Sequence, residues 1–212
     1  TLFRWILERQ SNPQLYGISI SVPGAVSDGG EALFQRATPA VLPGWESFPL
    51  VETLVATFNA PVWLRSSVET MTMGELHAGA GRNQRTMLLV KVGKRIGAGL
   101  ASDGTLFRGA QGTVGLIGSV PVTMGDRTGT LEAMAGSDHI AQDGRLAAEN
   151  GASPVLAELV RRGGDITALE VAQAAQMGDA AAIEILSQSG RLIGQVVATL
   201  ANMLNPALIV LC

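Results

Sequence analysis

Short apolar runs alternate along this chain with longer stretches in which apolar residues recur every three or four positions, and the two periods predict different elements. "YGISISVPG" alternates with a period of two and breaks at Pro23-Gly24, which predicts a strand and a turn. "APVWL" and "TMLLVK" have the length and composition of buried strands. Leu2 to Glu8 is a short helical pattern. Leu50, Leu54 and Phe58 share a face and predict a second helix over 50–58. A third is predicted over Ser67 to Ala78, ended by "GAGRN". "SDGG" reads as a turn and "ATPAVLPGWESFPL" as a proline-rich loop.

The stretch "TMLLVKVGKRIGAGLASDGTLFRG" predicts strand, tight glycine turn, strand, turn, strand, and a Gly-rich segment from Gly109 to Gly118 follows. Helical material opens at "GTLEAMAG". From Ser153 the pattern stays helical through "SPVLAELVRRGG" and "ITALEVAQAAQMGD" and into a long helix from about Asp179 to Leu204. Asn205-Pro206 stops that helix, and "ALIVL" reads as a final strand. Ile183, Leu186, Ile193, Val197, Leu200 and Leu204 fall near one face of the long helix and are expected in the core. This order predicts an α/β fold with two lobes. A boundary at "AGAGRNQR" (Ala78 to Arg85) would divide the chain into units 1–86 and 87–212.

Composition narrows the functions open to such a fold. Of 212 residues, 47% are hydrophobic, enough for a sizeable core, and mean hydropathy is +0.28. Only 16% are charged and the net charge is −3, so no basic footprint for nucleic acid is visible. The single cysteine, Cys212, excludes an internal disulfide and a cysteine-based zinc site. A reducing, cytoplasmic setting fits that usage. The first ten residues carry charges through their apolar part, unlike a signal peptide. The most apolar helical stretch, Ile183 to Leu204, is interrupted by Glu184, Gln188, Arg191, Gln195 and Asn202, so no membrane span is expected. The absence of an initiator Met and the terminal "PALIVLC" strand suggest an incomplete chain.

Candidate chemistry gathers where the "PVWL" strand meets the next helix. Ser66 followed three residues later by Glu69 is a capping-box signature. The same residues stand where α/β proteins commonly place a ligand. Arg65 is a bidentate donor suited to a carboxylate or phosphate. His77 and His139 lack the spacing of a metal pair.

Taken in order, "GISISVPGAV", "LPGWESFPL", "PVWLRSSVETMTMGELHAGAGR", "LLVKVGKRIGAGL", "DGTLFRGAQGTVGLIGSVPV" and "GTLE" resemble the ROK family of bacterial sugar kinases and sugar-responsive repressors. The resemblance implies an actin-like, ribonuclease-H-like ATPase architecture with a ligand cleft between two lobes. In the family's kinases the strand-to-helix junction reads Glu-Asn-Asp-x-Asn, with the Asp as base. Here Arg65, Ser66, Ser67, Val68 and Glu69 occupy those places, and the base position is Ser67. A serine hydroxyl has no proton affinity useful near neutral pH. Glu69 is the local rival for that role.

In "VGKRIGAGL" the resemblance marks Gly93, Lys94, Arg95 and Gly97 as the counterpart of a phosphate loop, with Lys94 and Arg95 replacing small residues. Either they bind an anion by charge or they are two exposed cations of a solvated hairpin turn. Where the family has Gly-Glu-Ile-Gly-His, this chain has Leu116 and Ser119. Thr123, Gly125 and Thr130 stand at three positions that are cysteine in many members, so no zinc is expected. Glu132 matches a sugar-contacting Glu of the family; as the first-turn carboxylate of a helix it also suits the helix dipole. The family's opening Asp-x-Gly-Gly-Thr loop and its later adenosine-contacting block lie outside residues 1–212.

The expectation is a sugar-sensing effector domain of a ROK-type transcription regulator, with no catalytic residue, no metal and no cofactor. The alternative is an ATP-dependent sugar kinase. Ligand contacts are expected from Arg65, Ser66, Ser67, Glu69, Ser119 and Glu132. Expected partners are a sugar-type effector, DNA through a domain outside this chain, and a second copy of the chain.

Overall fold

The computed structural model describes residues 15–24, 26 and 49–212, with Trp5 and Arg9 besides. The helical pattern at Leu2 to Glu8 (Trp5 apart), the "SDGG" turn and the proline-rich loop up to Phe48 lie outside the described residues.

The alternating segment forms β1 (Ile18–Val22), which pairs in parallel with β2 (Val62–Ser66), Ile18 opposite Val62 and Val22 opposite Ser66. Between them runs α1 (Leu50–Phe58), closed by Asn59 in the left-handed conformation. Val22, Val26 and Leu64 are buried together, with Ile20, Leu50 and Val51 against them. The second helix, α2 (Ser67–Ala78), starts directly at the end of β2.

A meander follows: β3 (Met87–Lys91), β4 (Gly97–Ser102) and β5 (Thr105–Phe107), antiparallel in sequence. The final strand, β8 (Leu208–Leu211), joins β3 in parallel, giving the order β5-β4-β3-β8. A hairpin, β6 (Pro121–Met124) and β7 (Arg127–Thr130), lies between. Then come α3 (Leu131–Ala135), α4 (Ser137–Glu149), α5 (Pro154–Arg161), α6 (Ala168–Gln176) and the long α7 (Ala180–Leu204).

The four-stranded sheet buries Leu88 and Val90 of β3 and Ala98 of β4 against Leu131 of α3 and Leu192 and Val196 of α7. A second core holds α4 to α7 together through Ile140, Leu156, Ile166, Val171 and Ala182. The long helix thus faces two cores, and this corrects the expected stripe. Leu186, Ile193, Val197, Leu200 and Leu204 pack inward, but Ile183 is exposed, and Ala182, Ser189, Leu192 and Val196 go deepest. Asn205 ends α7 in the left-handed conformation that the Asn-Pro step marks.

The helix α2 packs onto β4 at closest range where β4 has no side chains. A Cβ on Gly99 would stand 1.8 Å from Thr72 Oγ1, and one on Gly97 would stand 3.1 Å from Val68 Cγ2. Thr72 is fully buried there. Its hydroxyl donates to the Val68 carbonyl at 2.8 Å. The "GAG" run of β4 is therefore the packing surface for a helix that belongs to the first part of the chain.

Candidate functional site

The capping box forms as the spacing indicates. The Glu69 amide donates to Ser66 Oγ at 3.1 Å, and Glu69 Oε2 accepts the Ser66 N–H at 2.9 Å. The other Glu69 oxygen, Oε1, accepts from Arg108 Nε at 2.6 Å. Arg108 Nη2 also donates to the Val26 carbonyl at 2.9 Å. Arg108 comes directly after β5, so one guanidinium joins the second part of the chain to the cap of α2 and to the segment after β1. Glu69 is 8% exposed, and its carboxylate is committed to these donors.

A cavity with about 100 Å3 of free space opens beside the N-terminus of α2. One wall is Pro23 and Gly24 after β1, with Ser66, Ser67 and Val68. The facing wall is Lys91 at the end of β3, Arg95 to Gly97 leading into β4, the loop from Gly112 to Ser119, and Glu132 of α3. Residues from both halves of the chain line it. The loop needs its glycines: Gly115 has φ +88°, and a Cβ there would stand 1.6 Å from the Ala98 carbonyl oxygen. The Ala98 amide donates to the Gly115 carbonyl at 2.8 Å and ties the loop to β4.

Of the residues singled out in the sequence, Ser66, Ser67, Arg95, Gly97, Ser119 and Glu132 line the cavity. Arg65, Glu69, Gly93 and Lys94 do not. Arg65 Nη1 donates to the carbonyl of neighbouring Leu64 at 2.8 Å. Lys94 pairs with Asp138 at 3.0 Å, both well exposed; such a pair adds little stability.

Arg95 corrects the picture of two solvated cations. Its side chain is 18% exposed, and Nη1 reaches Glu132 Oε1 at 2.9 Å. Glu132 Oε2 accepts the Ile96 amide at 3.0 Å. Glu132 is therefore held by strand and arginine together, with acceptor capacity left over on both oxygens. Nothing in the sequence points to this pair, because 36 residues and two hairpins separate the two in the chain.

Lys91, Pro23, Gly24, Ile96 and the Gly112–Gly118 backbone were not singled out as site residues. A lysine closing the apolar run "MLLVK" was the available signal for Lys91.

Zinc does not fit. Ser119 follows the loop, Thr123 pairs with Thr128 across the β6–β7 hairpin at 3.0 Å, Gly125 sits at its turn, and Thr130 caps α3 by accepting the Ala133 amide at 3.2 Å. None is a thiolate or an imidazole. His139 lies elsewhere, 3.4 Å from Asp143, and His77 is in the last turn of α2. Among the described residues no helix is long and apolar enough to cross a membrane.

The family profile described as ROK matches residues 4–212. A glucokinase of Halalkalibacterium halodurans is 30% identical over 210 residues, covering 95% of this chain and 62% of that protein. The DNA-binding transcriptional dual regulator NagC of Escherichia coli K12 is 30% identical over 212 residues, covering 93% of this chain and 48% of that protein. The crystal structure of a ROK family transcriptional regulator, a homologue of the E. coli MLC protein, superimposes with a TM-score of 0.81 at 22% identity, over 99% of this chain and 54% of that one. The chain thus spans about half to three fifths of the length of these relatives.

Proposed function

The chain belongs to the ROK family and has its actin-like α/β ATPase fold, and from that premise we propose that it senses a sugar and performs no phosphoryl transfer. What supports the reading is the state of the two groups nearest the expected base position. Ser67, at that position, offers a hydroxyl with no useful proton affinity. Glu69, the carboxylate two residues on, is already holding the Ser66 amide and Arg108 and does not line the cavity. A general base must come within hydrogen-bond reach of the hydroxyl it deprotonates.

In this reading the units 1–86 and 87–212 close on a sugar taken between them. Ser66, Ser67, Ser119 and Glu132 supply polar contacts, and Arg65 and Glu69 support the wall from behind. Ligand binding then shifts a population of lobe arrangements. The protein acts in the cytoplasm as a homo-oligomer, and DNA is bound through sequence outside residues 1–212. The regulator relatives support the DNA-binding part of this proposal.

A second reading, an ATP-dependent sugar kinase, draws on the glucokinase match. One experiment separates the two. The full-length protein is given ATP, magnesium and a panel of hexoses, with ADP release and calorimetric sugar binding followed together. Sugar binding without ADP release above background is expected. ADP release that disappears in Glu69→Gln or Glu132→Gln would establish the kinase instead.

A further inference from the structure

The charges around the cavity do not balance, and the imbalance has a direction. Lys91 and Arg95 bring two positive groups to the lining, and Glu132 brings one negative group. Arg95 and Glu132 face each other at 2.9 Å and largely cancel. Lys91 is left over. It is partly buried; its side chain makes one long hydrogen bond, 3.5 Å to the Arg95 carbonyl, and it makes no ion pair among the described residues. A partly desolvated ammonium without a counter-ion is costly, and a ligand anion would relieve that cost. The opposite wall adds to the field. Ser67 and Val68, in the first turn of the twelve-residue α2, line the same cavity and bring the positive end of that helix to it.

We propose that the ligand of this cavity is an anionic sugar, a sugar phosphomonoester or a sugar carboxylate, with its charge on Lys91 and its hydroxyls on Glu132. This rests on the reading of the site as a sugar site and names the class of sugar. Glu132 keeps acceptor capacity after binding Arg95 and Ile96, which suits hydroxyl donors. Lys91 offers donors to an oxyanion. Acceptor and cation on one lining fix which end of the ligand goes where. Arg95 fixes the place of the Glu132 carboxylate through their 2.9 Å contact.

The test is calorimetric titration of the full-length protein with several hexoses, the 6-phosphate and the uronate of each, inorganic phosphate, and a non-hydrolysable ATP analogue with magnesium. A phosphorylated or carboxylated sugar is expected to bind at least tenfold tighter than its neutral parent, and the two anionic arms show which source of charge the site takes. That preference should weaken with added salt. It should fall to about twofold or less in Lys91→Met, while the melting temperature changes little. Neutral sugars binding as tightly as their charged counterparts, with no effect of Lys91→Met, would overturn the inference and leave the sugar site standing. Silence toward every sugar would overturn both. Lys91-dependent binding of the nucleotide or of phosphate alone, with no charged sugar, would assign the cations to a phosphate-transfer site and overturn the inference.

Discussion

Ser153 and Asp179 bring a hydroxyl and a carboxylate together inside the helical part of the molecule. Ser153 Oγ donates to Asp179 Oδ2 at 2.8 Å, and Asp179 Oδ1 accepts the Ala182 amide at 3.0 Å as the N-cap of α7. Burial alone would raise the Asp179 pKa. The Ala182 amide, the Ser153 hydroxyl and the Val155 and Ala181 amides outweigh it, and the pKa falls below its ordinary 3.8. A carboxylate whose pKa is lowered by folding stabilises the native state above the unfolded value, and the contribution is lost as pH falls through the native one. Asp179→Asn keeps a cap-forming side chain and removes the charge. It should cost about 1–2 kcal/mol at neutral pH. Urea melts of the two proteins should converge below the ordinary carboxylate range, and a gap that stays constant down to acid pH would contradict this account.

Among the elements, α2 carries the most consequences, because its start lines the cavity and its body locks onto β4. The fit at Gly99 leaves no room for a methyl group, since Thr72 Oγ1 is tied to the Val68 carbonyl and cannot swing away freely. Gly99→Ala should destabilise by roughly 1–3 kcal/mol, the usual cost of overpacking. Thr72→Ala in the same chain removes the obstructing hydroxyl and should return part of that loss, a non-additivity readable in thermal melts. Additive losses would show that the contact at Gly99 is not the cause. At this scale local signals were legible in the sequence and distant ones were not. The Ser66–Glu69 cap, the strand β2 and the bounds of α2 follow from neighbours in the chain. The β6–β7 hairpin has little sequence signal because "TMGDRTGT" is short and polar, and α4 does not stand out from the helical stretch around it because its buried face is built largely of alanine and glycine. The cavity was read in part. Its serines and Glu132 follow from motif position, but Lys91 and the Arg95–Glu132 pair depend on packing between distant strands.

On the scale of the whole molecule, the described contacts between the two halves of the chain include the bare β4 surface under α2, the Arg108 link to Glu69 and Val26, and the cavity itself. A ligand that spans the cavity stabilises both halves together. At a hundred times its dissociation constant a ligand adds about 2.7 kcal/mol to the bound state. For a chain of this length that corresponds to roughly 5–10 °C in melting temperature. The whole calorimetric transition should move by that amount in the presence of the charged sugar proposed above. Displacement of only an early fraction of the transition would mean that the halves unfold separately.

The parallel place of β8 beside β3 has a consequence for how the molecule comes into being. The Ala207 amide bonds to the carbonyl and hydroxyl oxygens of Thr86, a partner 121 residues earlier. On the ribosome the meander emerges long before its neighbour is translated, so the flank of β3 stands bare while the five helices α3 to α7 are still being made. Leu208 to Leu211 close it only after those helices. Until then that open backbone is the point at which two nascent chains in one polysome could pair with each other instead of with themselves.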